Sequence, residues 1–135
     1  MKEQMSPVVT PLVRYFASTR AEVLSAYLFG SHARGSHGDD SDVDVALLFT
    51  PQTQAKRLIG PLSQVRGDIE RLLEVTVDVV DLRSAPVDLV HRVLREGVLL
   101  LDRDPEERAA YEVAARNAYF DLLPYIEAYR ASVSA

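Results

Sequence analysis

Residues 23–49 read VLSAYLFGSHARGSHGDDSDVDVALLF, two apolar runs separated by a polar stretch that carries glycines. Val23 to Phe29 is β-branched and aromatic, the composition of a buried strand. It breaks at Gly30, and Ser31-His32-Ala33-Arg34-Gly35 follows as the opening turn of a short helix. Gly30 lets the backbone approach a ligand closely, while Ser31 adds a hydroxyl and an amide where free N–H groups attract anions. Such a turn suits the β,γ-phosphates of a nucleoside triphosphate. Ser36 to Ser41 (SHGDDS) reverses the chain, and a second strand starts at Asp42 as DVDVALLF.

Alternation along that strand places Asp42 and Asp44 on one face, with Val43, Val45 and Leu47 turned into apolar packing. Two neighbouring carboxylates repel, which raises a pKa or calls for a cation, and hard oxygen ligands favour Mg2+. In-line displacement with two ions needs a third acid near the attacking hydroxyl. Val75 to Leu82 (VTVDVVDL) supplies Asp78 mid-strand, on the face shared with Val80. Asp81, at the exit of the same strand, is the rival, and a solvated or helix-capping role accounts for it.

Taken together, GSHARGSHGDDSDVDVALLF resembles the signature of the minimal nucleotidyltransferases of the DNA polymerase β-like superfamily: G-S-x-A-R-G, then S-D-x-D and an apolar strand. The resemblance implies that Gly30 and Ser31 form the triphosphate-binding turn and that Asp42, Asp44 and Asp78 are the catalytic and metal-binding carboxylates. Arg34 matches a family arginine, with either a phosphate or a nearby carboxylate as its partner. Further along, the spacing to VDVVDL, the segment LVHRVLREGVLLLDRDPEERAAYE and the Tyr-rich final helix are similar to the MNT halves of HEPN/MNT toxin-antitoxin pairs. That similarity implies an Mg2+-dependent enzyme with two ions, moving AMP from ATP to a tyrosine of a cognate HEPN ribonuclease toxin and forming a hetero-oligomer with it. The alternatives are an antitoxin that acts by binding alone and a transferase acting on a small hydroxylated molecule.

The 135 residues are expected to form one α/β (α+β) domain, a small mixed sheet with helices packed on one face plus C-terminal helices. The catalytic core is expected over residues 6–82 and the helical extension over 84–133. Acids outnumber bases 20 to 15, for a net charge of -5, which argues against direct nucleic-acid binding through phosphates. Zero cysteines exclude disulfides and thiolate metal sites, and no long apolar run suggests a signal peptide or membrane span, so a cytoplasmic location is expected.

Around the motif, Pro7 to Thr19 has helical spacing at Val8, Leu12, Tyr15 and Phe16. Thr53 to Leu73 carries a stripe at Leu58, Leu62, Val65, Ile69 and Leu72, with Gly60-Pro61 expected to divide it into two helical pieces. Ser84-Ala85-Pro86 opens a helix with Leu89, Val90, Val93 and Leu94 inward, closed by Gly97. Val98 to Leu101 suits a short strand. Asp104-Pro105-Glu106-Glu107 marks the start of a long terminal helix, kinked at Pro124. Along it Tyr111, Ala115, Ala118, Leu122, Tyr125 and Tyr129 form a seam, for packing within the chain or for docking a helical partner. His32 and His37 are expected to be solvated loop residues and His91 a surface residue.

Overall fold

The computed structural model describes residues 6–18, 22–38, 41–51 and 59–134. In chain order these form α1 (Val9–Ala17), β1 (Val23–Phe29), α2 (Ser31–Arg34), β2 (Val43–Phe49) and α3 (Ile59–Leu73), followed by β3 (Val77–Asp81), α4 (Val87–Glu96), β4 (Val98–Asp102) and α5 (Pro105–Ser134). The strands make one mixed sheet in the order β3-β2-β1-β4. Antiparallel pairing joins β1 to β2 and to β4, while β2 and β3 run parallel.

Strand alternation decides which side chains meet which helices. Val43, Val45, Leu47 and Val77 point to the face covered by Leu12 and Phe16 of α1 and by Val65 and Ile69 of α3. Leu24, Tyr27, Phe29, Ala46 and Leu48 point to the opposite face and pack on Val90 and Val93 of α4 and on Tyr111 and Ala115 of α5. The C-terminal helices therefore close the second face of the sheet. An α/β layer with apolar strands needs both faces covered, which explains why β1 is buried along its whole length.

A polar network fastens α5 to the sheet. The Tyr27 hydroxyl donates to Glu112 Oε2 at 2.8 Å, and Arg108 Nη1 donates to the same oxygen at 3.0 Å. Arg108 Nε forms an ion pair with Asp102 Oδ1 at 2.9 Å, and the Tyr111 hydroxyl donates to the Leu82 carbonyl at 3.1 Å. At the start of α5 the Glu107 amide donates to Asp104 Oδ1 at 3.1 Å, the N-cap expected from DPEE. The helix then runs through Pro124 to Ser134 as one element.

Two details differ from the sequence expectation. Leu72 is exposed and Leu73 packs on the core instead, because the inward stripe continues four residues after Ile69 rather than three. Gly60 and Pro61 fall in the first turn of α3, while Leu58 and the first helical piece from Thr53 lie outside the described residues. Gly97 closes α4 as expected, its amide donating to the Val93 carbonyl at 2.7 Å from an extended backbone (φ -73, ψ 153). It is demanded by crowding: a Cβ there would collide with the Val93 carbonyl and stand 3.3 Å from the Leu28 carbonyl. Among the described residues no helix is long and apolar enough to cross a membrane.

Candidate active site

At the end of β1 the chain turns sharply. Gly30 has φ 76 and ψ -154, a backbone conformation that only glycine adopts without strain. Its bare Cα also makes room for a neighbour, since a Cβ at this position would overlap Asp44 Oδ2. The carboxylate of Asp44 is thus seated directly on the glycine that precedes Ser31. The Gly30 carbonyl accepts from the Ala33 and Arg34 amides, both at 3.1 Å. Among the described residues, the Ser31 and His32 amides ahead of them make no backbone hydrogen bond.

Parallel pairing brings in the third acid. Asp44 of β2 is the direct partner of Asp78 of β3, one position after Val43 meets Val77. Paired residues of neighbouring strands project from the same face, so the two carboxylates stand side by side. Burial raises the Asp44 carboxyl above the ordinary carboxylate value, the charges of Asp78 and then Asp42 push it further up, and the Arg92 guanidinium pulls it back. Asp42, just before β2, and Asp78 are both exposed.

A cleft of about 360 Å³ opens at this end of the sheet, within the range of roughly 300–1,000 Å³ usual for small-molecule sites. Gly30, Ser31, Arg34, Ser41, Asp42 and Asp44 line it, with Arg92 contributed by α4. The structure therefore gathers five of the six expected site residues around one cavity. Asp78 adjoins it through its pairing with Asp44. Asp81 lies at the far end of β3, where its carboxylate accepts from the Arg83 amide at 3.2 Å and the Ser84 hydroxyl at 2.7 Å, a turn-capping role. Among the described residues no three His, Cys, Asp or Glu side chains form a ready-made metal cage. The donor set is still of the kind a hard divalent ion takes: carboxylate oxygens only, one of them crowded by two acidic neighbours.

His32 overturns the expectation of a solvated loop residue. It is 6% exposed, and its Nδ1 lies 2.7 Å from the Ser6 hydroxyl while Nε2 lies 3.1 Å from the Ser41 carbonyl. A carbonyl can only accept, so Nε2 carries the hydrogen toward Ser41, and in the neutral tautomer that this fixes Nδ1 accepts from Ser6. The ring thereby ties α2 to the loop that enters at Asp42, and it stacks on His37 with centroids 4.6 Å apart. His91 is half-buried rather than a free surface residue, stacked on Tyr119 at 3.6 Å. Arg92 had no individual signal in the sequence. It follows buried Val90 and precedes buried Val93, so it sits at the flank of the apolar stripe of α4, and only the docking of that helix on the sheet aims it at the acids.

Comparison with known proteins converges on one family. The family model described as Polymerase beta, Nucleotidyltransferase matches residues 12–106. A curated relative, protein adenylyltransferase MntA of Shewanella oneidensis, is 37% identical over 71 residues, which are 53% of this chain and 48% of that protein. The aligned part of this chain thus spans about half the length of that relative. Among solved structures, a toxin-antitoxin complex with AMP-PNP has a chain that superposes with a TM-score of 0.77 at 24% identity, covering 94% of this chain and 98% of its own. A complex of tri-AMPylated Shewanella oneidensis HEPN toxin with MNT antitoxin superposes at 0.71 and 22% identity, covering 94% and 96%. At these identities the superpositions speak for the fold alone.

Proposed function

Because this chain belongs to the polymerase beta nucleotidyltransferase family, we propose that it is the antitoxin of a HEPN/MNT pair, a protein adenylyltransferase that moves AMP from ATP to a tyrosine of its cognate HEPN ribonuclease and so neutralises it. The observation that carries this is the parallel register of Asp44 with Asp78, with the Asp44 carboxylate packed on Gly30 beside Ser31. Carboxylates and a phosphate-sized turn share one cleft, the arrangement phosphoryl-type transfer requires. The name of the Shewanella relative, a protein adenylyltransferase, and the AMP-PNP and tri-AMPylated toxin complexes among the superposed structures support the choice of ATP and of a HEPN acceptor.

In this proposal the Ser31 hydroxyl and the Ser31 and His32 amides bind the β- and γ-phosphates. Asp42, Asp44 and Asp78 would hold Mg2+, two ions in all. When bound, the metal supplies Lewis-acid stabilisation of charge on the α-phosphate and the leaving group. The acceptor oxygen forms a bond to the α-phosphorus as the bond from that phosphorus to the α,β-bridging oxygen breaks, and pyrophosphate departs with the electron pair. Asp78, exposed beside Asp44, orients the tyrosine hydroxyl and receives its proton. The aromatic seam of α5 divides between two tasks. Tyr111 and Ala115 pack on the sheet, whereas Tyr125 and Tyr129, 76% and 68% exposed, border an apolar groove beside α4 and form the docking face for the toxin.

The experiment is intact-mass measurement of the cognate HEPN protein after incubation with this chain, ATP and Mg2+. Wild type adds AMP mass, and Asp42→Ala with Asp44→Ala adds none while still forming the complex. A wild-type protein that binds the toxin without adding mass would leave an antitoxin that acts by occlusion. Mass added by the double variant would remove the carboxylate mechanism.

A further inference from the structure

Two arginines face the cleft, and their surroundings differ. Arg34 extends Nη1 toward Glu96 Oε1 at 3.5 Å, and the other Glu96 oxygen receives Arg95 Nη2 at 3.2 Å. Glu96 is on α4, so the motif arginine is drawn toward that helix. Arg92 stands one helical turn before Glu96 on the same helix and lines the cleft with Ser31, Asp42 and Asp44. It makes no hydrogen bond or ion pair among the described residues. Among the described residues the cleft thus contains a guanidinium that neither hydrogen-bonds nor ion-pairs with a protein group, although its charge is felt by Asp44, and it shares that cleft with a glycine-serine turn whose leading amides make no backbone hydrogen bond.

Resting on the nucleotidyltransferase reading above, we infer that Arg92 is the residue that grips the β,γ-phosphate end of the nucleotide, and that Arg34 is a positioning residue held by Glu96. Guanidinium forks match pairs of phosphate oxygens and remain charged at any physiological pH. An arginine without a protein partner loses no existing bond when a phosphate arrives, whereas Arg34 would have to release Glu96. Arg92 is also exposed, so its side chain can swing onto a ligand entering from solvent. Its influence on Asp44 places positive potential inside the acidic cluster, where the most highly charged part of a triphosphate must lie. A contact at the β,γ end separates triphosphates from monophosphates, so Arg92 sets the preference for ATP over AMP.

Titration calorimetry of the full chain with AMP-PNP and with AMP, each with Mg2+, tests this. Arg92→Ala weakens AMP-PNP binding at least tenfold while AMP affinity changes less than twofold. Arg92→Lys, which keeps the charge without the fork, falls between Arg92→Ala and wild type. Arg34→Ala weakens AMP-PNP less than Arg92→Ala does. Because Arg92 is exposed, its variants keep the wild-type unfolding midpoint. Unchanged AMP-PNP affinity in Arg92→Ala, equal losses for AMP and AMP-PNP, or a larger loss in Arg34→Ala would overturn the assignment while leaving the nucleotide site standing. Failure of the wild type to bind AMP-PNP would remove both.

Discussion

Substituting alanine at Gly30 and at Gly97 should separate site geometry from stability. At Gly30 the new Cβ has two consequences. The backbone at φ 76, ψ -154 is strained for any residue with a side chain, by about 1–3 kcal/mol. For a domain of this size that corresponds to roughly 3–10 °C in Tm. The Cβ also overlaps Asp44 Oδ2, the end of a side chain that can rotate away. Relief is therefore cheap in stability, but it moves the carboxylate off the position from which it faces Asp78 and Asp42. At Gly97 the collision is with the Val93 backbone carbonyl, which cannot rotate aside, and the end of α4 must shift. Urea unfolding and the proposed AMP transfer to a cognate HEPN protein, measured on both variants below their melting points, distinguish the two. Gly30→Ala should lose transfer by well over a hundredfold, more than the unfolded fraction explains, whereas Gly97→Ala should lose more stability than Gly30→Ala and retain transfer in proportion to the folded protein. Full transfer by Gly30→Ala would refute the seating of Asp44 on that glycine.

Two further outcomes follow from the electrostatics. The Asp44 carboxyl binds its proton more tightly in the folded chain, because of burial first and then Asp78 and Asp42, so stability falls as pH rises from the ordinary value of 3.8 through the raised one and stays lower above it. Asp44→Asn should accordingly resist urea better than wild type at pH 7, with the gap closing toward about pH 4; a gap independent of pH would contradict this origin. In the network under α5, Glu112→Ala strands the buried Tyr27 hydroxyl and should lose about 1–3 kcal/mol. A double-mutant cycle with Tyr27→Phe should give a coupling of at least about 0.5 kcal/mol, and zero coupling would mean that the 2.8 Å bond adds nothing.

How far the sequence announced this structure depends on the kind of signal. Val23–Phe29 was legible as a strand to its last residue because a β-branched, aromatic run stops at a glycine-serine pair. The alternation of Asp42 to Val45 was likewise enough to put Asp44 on the side opposite Val43 and Val45, since period-2 patterning is local. Asp104 as N-cap was legible for the same reason. His32 was not, because its burial depends on Ser6, 26 residues upstream, and on the returning Ser41 carbonyl. Arg92 was hidden in the same way: an amphipathic stripe reveals that α4 buries one side, but not against which face of the sheet. Glycine is ambiguous in sequence: Gly97 was legible as the helix cap it is, but not the close approach of two carbonyls that demands glycine there. Leu72 and Leu73 show the limit of periodicity itself, since spacings of three and four both fit a helix.

The parallel pairing of β2 with β3 has a consequence for how this family can diversify. Asp44 and Asp78 are brought level by interstrand hydrogen bonding, not by the length of chain between them, which includes α3. Insertions or deletions in that connection leave the two acids in step so long as the strands keep their ladder. A shift of one residue in the ladder would turn Asp78 to the opposite side of the sheet. Evolution is thus free to rework the crossover and is tightly held at the pairing.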